Sequence, residues 1–207
     1  MAFIKTIAAA EAAGDVRDMY ARQEQAWGYV PDYAKVFCHR PALMGRWGMM
    51  LAEVKRHVDP RRLELATLAA AHELRHTACS LAHGHALANI ISPEAVLAVV
   101  NGTACDELSA ADLAIVAFAR RVAKDASRIT EGEVAALREV HGLADAEIFD
   151  IAAIAASRAF FTKLLDAMGC EADSPFMKLD DELRRALTVG RPIKCMPPET
   201  LGSEQAA

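Results

Sequence analysis

The chain has 207 residues, 53% hydrophobic and 25% charged, enough apolar material to bury a core and too much for a disordered chain. Its formal charge of −5 comes without a basic stripe, which excludes the usual nucleic-acid binder, since such binding rests on phosphate neutralisation. Aromatics are only 6% and alanine is the commonest residue, so an all-α fold is expected: alanine favours helix, whereas β-branched and aromatic residues favour strand.

In chain order the punctuation is helical. Asp15 can cap a helix that runs to about Gly28, and Gly28-Tyr29-Val30-Pro31 reads as a turn. Asp32 can cap a short helix ending near Arg40. Pro41 suits the first turn of the next helix, which carries Trp47, Met50, Leu51 and Val54. Asp59-Pro60 and Ser92-Pro93-Glu94 are each a cap followed by a first-turn proline, and Asn101-Gly102 closes the helix that Ser92 opens. Ser109-x-x-Asp112 and Thr130-x-x-Glu133 resemble capping boxes, and Gly142 ends the helix from Thr130. A longer helix is expected from about Asp145 to Gly169, with Ile148, Ile151, Ile154 and Ala155 on one face. A last short one covers Asp180 to Leu187. No alternating pattern long enough for a strand occurs. One domain spanning residues 1–207 is expected, its core at about 15–187. The tail from 188 to 207, with Pro192, Pro197 and Pro198, cannot continue a helix.

No apolar run of about 18 residues occurs, so no transmembrane helix is expected. The apolar stretch near the start is short and runs into Glu11, Asp15 and Asp18, unlike a secretory signal, and a cytoplasmic location is expected. The five cysteines, Cys38, Cys79, Cys105, Cys170 and Cys195, are odd in number and widely spaced, with no Cys-x-x-Cys. That argues against a disulfide scaffold and for small buried hydrophobes. Cys79 is set apart by its neighbours.

Four of the seven histidines, His72, His76, His83 and His85, fall within fourteen residues around Cys79. Helical spacing places His83 one turn after Cys79, and His76 three residues before it. A cysteine beside a histidine or a helix N-terminus is how a thiolate is made near neutral pH. A polar patch on a partly buried helix would show the same spacing. His72-Glu73-Leu74-Arg75-His76 also matches H-E-x-x-H. The extended zinc-protease form, however, needs Gly and His where this chain has Cys79 and Ala82. A metal held by some of His72, His76, Cys79 and His83 stays open, because mixed His/Cys sites suit zinc. The reading adopted has neither metal nor cofactor.

Thr77-Ala78-Cys79-Ser80-Leu81-Ala82-His83-Gly84 resembles the active-site helix of the alkylhydroperoxidase AhpD-like / carboxymuconolactone decarboxylase superfamily. Its redox members carry Glu, eleven residues, Cys, two residues, Cys, three residues, His. Here Glu64, His76, Cys79 and His83 stand at those positions, with His76 in place of the first cysteine. Gly28-Tyr29-Val30-Pro31 with His39-Arg40-Pro41 is similar to the family's first helices. The segments from Phe160 to Gly169 and from Leu187 to Ile193 are similar to its peroxidase-related branch, so the resemblance covers roughly residues 15–193.

The resemblance implies a local structure that periodicity alone misses. No Gly or Pro interrupts residues 61–83, and in one straight helix Glu64 and Cys79 would lie ~22 Å apart. The family places them on two helices folded back on each other, so a break is expected near Arg75 to Thr77. Thr77 is then expected as the new cap, with Cys79 in the first turn, where the dipole favours a thiolate. The implied relay has Glu64 orienting and charging His83, His83 moving a proton, and Cys79 attacking a peroxide O–O bond. His76 is a further candidate, keeping Cys79 ionised. His76 cannot close a disulfide, so turnover needs an external thiol or a distant cysteine such as Cys38, Cys105 or Cys170. An alternative is lactone-acid chemistry with Glu64 and His83 as base and acid, and Arg75 or Arg46 as the cation for the substrate carboxylate. A non-catalytic oligomer is the third. The expected partners are a small hydroperoxide or lactone, a thiol reductant, and a second copy of the chain, since the family associates and the apolar fraction is high.

Overall fold

In the computed structural model, residues 2–194 are described. Among them are ten α-helices and no strand, the all-α fold expected from composition: α1 (Gly14–Trp27), α2 (Asp32–Val36), α3 (Pro41–Lys55), α4 (Pro60–Glu73), α5 (Thr77–Ala88), α6 (Pro93–Asn101), α7 (Ala110–Asp125), α8 (Glu131–Glu139), α9 (Asp145–Ala167) and α10 (Asp181–Leu187). None of these helices is long and apolar enough to cross a membrane.

The centre of the fold is α4, which packs against α5, α7 and α9. Residues 65–71 are buried one after another, and a helix covered on every side must be apolar all round. Four of those seven are alanines, whose small side chains let the neighbouring helices approach. The one hydroxyl, on Thr67, donates back to the Leu63 carbonyl at 2.7 Å and so is not left unsatisfied. On α9, Ile148, Ile151, Ile154 and Ala155 are buried, as their spacing predicts.

Asp59, Ser92 and Asp180 cap α4, α6 and α10, and both expected capping boxes close at Ser109 and Thr130. Two caps differ. The residues preceding α1 and α2 in extended conformation are Ala13 and Pro31, so Asp15 and Asp32 lie inside the first turn. There their carboxylates meet the helix dipole rather than serving as caps. The free amide of Asp32 is taken instead by Asp173 Oδ1 at 2.9 Å.

The expected break between α4 and α5 is present. Arg75 has φ of +57°, a left-handed conformation that reverses the chain and costs a non-glycine residue about 1 kcal/mol. The cap of α5 is His76, not Thr77, because the helix already begins at Thr77. Thr77 Oγ1 accepts instead from the amide of Gly190, at 2.9 Å. The tail after α10 therefore crosses the break as far as Ile193, which is buried and bridges to Ala172. The remainder, with Cys195, Pro197 and Pro198, lies outside the described residues.

The crossing requires glycine. A Cβ on Gly190 would sit 1.9 Å from the Arg75 carbonyl oxygen, which is backbone and cannot swing aside. Gly190→Ala is expected to lower stability by about 1–3 kcal/mol, the usual cost of overpacking. A lower urea midpoint with an unchanged slope checks it.

Candidate active site

Reversal at Arg75 lays α5 back along α4 and brings Glu64 to His83. Glu64 Oε2 accepts from His83 Nδ1 at 2.6 Å, with both side chains largely buried. That bond places the neutral ring's proton on Nδ1 and leaves Nε2 as the unprotonated nitrogen. Burial lowers the His83 pKa, and the opposing pull of Glu64 does not overcome it. Burial thus favours the neutral form of His83, where the sequence pattern led to the expectation of a cation.

Cys79 lies in the first turn of α5, one helical turn before His83, and is 6% exposed. Burial pushes its thiol up, and the nearby charge that opposes this comes from α9. Arg158, 4% exposed, reaches Cys79 and draws its pKa down, though less than burial raises it. The Arg158 Nη1 is 3.4 Å from His83 Nε2, and its guanidinium lies over the rings of Trp47 at 5.1 Å and Phe161 at 5.8 Å. Its Nε has no hydrogen-bond partner, and among the described residues no carboxylate pairs with it. A buried cation without a counter-anion is costly. Sequence reasoning missed Arg158, although a signal existed: it stands on the apolar stripe of α9, seven residues after Ile151 and seven before Leu165, where a charge cannot face water.

His76 does not serve as an activating cation. Its Nδ1 accepts from the Cys79 amide at 3.1 Å, capping α5, and burial drops its pKa to about 4. A buried histidine held neutral stabilises the fold fully above its unfolded pKa near 6.5. That stability is lost as pH falls through the folded value, here over about 6.5 to 4. The contribution is about 3 kcal/mol at most. Asp166, raised to about 6 by burial, acts oppositely over part of that window. His76→Asn keeps a capping acceptor and removes the titration. Its stability is expected to fall less than the wild type's between pH 6.5 and 4, read from denaturant curves at each pH.

The remaining candidates separate. His72 ends α4 against α10, where the Ala186 backbone bonds to it, and His85 is exposed. Among the described residues no three His, Cys, Asp or Glu side chains gather as a metal centre requires. Arg75 and Arg46, the expected cations, are both exposed and off the cavity wall. That wall encloses about 510 Å³ and includes Glu64, Cys79, His83 and Arg158, with Trp47, Tyr33 and Phe161 as its aromatic side. Trp47 stacks on Phe161 with centroids 4.3 Å apart and planes at 11°.

No protein-family model matches the chain, and no curated protein matches by sequence. Solved structures do. The AhpD core of an uncharacterized peroxidase-related protein from Ralstonia eutropha JMP134 superposes with a TM-score of 0.72 at 22% identity, over 92% of this chain and 98% of that one. An uncharacterized peroxidase-related protein from Silicibacter sp. TM1040 gives 0.68 at 17%, over 79% and 87%. The debrominase Bmp8, as its C82A variant in complex with 2,3,4-tribromopyrrole, gives 0.72 at 16%, over 88% and 100%. At these identities the likeness carries the fold, and the fold of this chain is that of the AhpD core.

Proposed function

We propose that the protein is a cytoplasmic thiol peroxidase of AhpD-like type, in which Cys79 reduces an organic hydroperoxide. The observation that carries this reading is a buried arginine that has no counter-anion among the described residues, set against a cysteine and a Glu–His pair in one cavity. Arg158 stabilises the thiolate once His83 Nε2 has taken the Cys79 proton, and Glu64 holds the imidazole in the tautomer that can take it. The thiolate attacks the distal peroxide oxygen: an S–O bond forms, the O–O bond breaks, and the alkoxide takes a proton from His83. Sulfur ends as a sulfenic acid, oxidised by two electrons, and the peroxide as an alcohol. Treatment with cumene hydroperoxide in the presence of excess dimedone, which traps the sulfenic acid as it forms, is expected to label Cys79 alone. Absence of that label with peroxide unconsumed overturns the reading.

A second reading follows from the aromatic wall. The stacked Trp47 and Phe161 rings suit a flat apolar substrate, and the fold is shared with a debrominase that binds a tribromopyrrole. The same Cys79 would then attack halogen rather than oxygen: an S–Br bond forms, the C–Br bond breaks, the ring carbon takes a proton, and a thiol reductant displaces bromide from sulfur to give a disulfide. Bromide release from a bromopyrrole separates the two readings.

Association into a homo-oligomer belongs to the same proposal. Its support is apolar surface on α3 and α9, which pack together: Met49, Met50 and Phe160 are exposed. Sedimentation at micromolar concentration tests it.

A further inference from the structure

Turnover of Cys79 by the reading above requires a second thiol, and the fold distinguishes among those available. Cys38 is buried in the same apolar cluster as Cys79, but it does not reach the cavity. Cys105 lies elsewhere, in a surface depression between α6 and α10. Cys170 shares both the apolar cluster and the cavity wall with Cys79. It follows the left-handed turn at Gly169, φ +73°, that ends α9, so a connecting segment rather than a helix carries it. Its thiol makes a long 3.7 Å hydrogen bond to the Glu171 carbonyl, which a sulfur leaving for a new bond gives up at little cost.

We infer that Cys170 is the resolving thiol, which condenses with oxidised Cys79 to close an intramolecular disulfide across the cavity. The inference rests on the peroxidase reading for the oxidant. The Cys170 sulfur attacks the Cys79 sulfenic sulfur; an S–S bond forms, the S–O bond breaks, and the hydroxyl leaves as water with the Cys170 proton. Each sulfur ends at disulfide level, and an external thiol reduces the pair. The two thiols differ in what surrounds them. Arg158 acts on Cys79 and draws its pKa down, whereas among the described residues no cation does so for Cys170: burial first, then the carboxylates of Asp32, Asp173 and Asp166, push the Cys170 pKa to about 12, and Asp166 also acts on Cys79. Cys170 is therefore expected to react slowly with peroxide and to form its bond with the sulfenic acid on the shared cavity wall. Below that pKa its thiolate fraction rises tenfold per pH unit, so the closing step is expected to be slow at pH 7 and to accelerate accordingly.

The test counts thiols in the full chain, which has five cysteines. One equivalent of cumene hydroperoxide is expected to remove two thiols from the wild type and yield a linked Cys79–Cys170 peptide on non-reducing digestion. Cys170→Ser is expected to lose one thiol and retain a dimedone-reactive Cys79, while Cys38→Ser behaves as wild type. A wild type that loses one thiol and keeps its sulfenic acid overturns the inference, as does a link to Cys38, to Cys195 or to a second chain. Diamide, which joins neighbouring thiols without peroxide, separates the two proposals. A Cys79–Cys170 link with diamide but no reaction with peroxide supports the resolving pair and sinks the peroxidase. No link with either reagent sinks the pair.

Discussion

Arg158→Met is expected to make the protein more stable and far less reactive at Cys79. Arg158 is 4% exposed, and among the described residues it has no carboxylate partner, so its desolvation is compensated by ring contacts, by Cys79 and by a long bond to His83. Replacing a buried charge by a packed apolar side chain of similar length is neutral or favourable, here by about 1–3 kcal/mol. The loss of the two ring contacts, worth about 2 kcal/mol when desolvated, keeps the gain from being larger. Function moves the other way. Without the guanidinium, burial and the Asp166 carboxylate act on the Cys79 thiol unopposed and its pKa rises further. Removing one preorganised charge donor costs about 10²–10³ in rate, and alkylation and sulfenic-acid formation at pH 7 are expected to fall by that amount. Arg158→Lys keeps the charge but not the planar fork, so it recovers part of the rate. A methionine variant as reactive as the wild type would remove Arg158 from the mechanism.

Glu64→Gln is expected to lower kcat/KM by about 10²–10³ and to move the acid limb of its pH profile downward. Burial already lowers the His83 pKa, and Glu64 is the largest influence holding it up. Taking that influence away lowers the folded value further below 6.5. In the proposed mechanism the neutral ring is the base, so the limb follows it to lower pH, while the plateau falls because glutamine can also present its NH₂ and hold the wrong tautomer. Stability shifts with the same sign. A histidine whose folded pKa is depressed contributes stability that is complete above 6.5 and lost on acidification, and in Glu64→Gln that loss grows. A limb that moves upward instead would mean that the cationic ring is the working form.

Much of the molecule is legible in the order of its residues because the forces concerned are local. Caps at Asp59, Ser92, Ser109 and Thr130 act within three residues, and the stripe through Ile148, Ile151 and Ile154 follows from 3.6 residues per turn. Spacing within one turn likewise places Cys79 before His83. The Glu64–His83 contact depends on a reversal at Arg75 that no glycine or proline marks, and family resemblance alone pointed to it.

What tertiary packing decided is the sign of the charges. Whether His83 and His76 are cations or neutral rings depends on how deeply the surrounding helices bury them, and sequence spacing carries no information on depth. The positive charge that acts on Cys79 sits on Arg158, 75 residues from His83 along the chain and brought to it by α9 packing on α4. Cys170 was one cysteine among several until that packing put it on the same cavity wall as Cys79. The residues supplied the chemistry; the long-range contacts between helices set which groups meet and which of them carry charge.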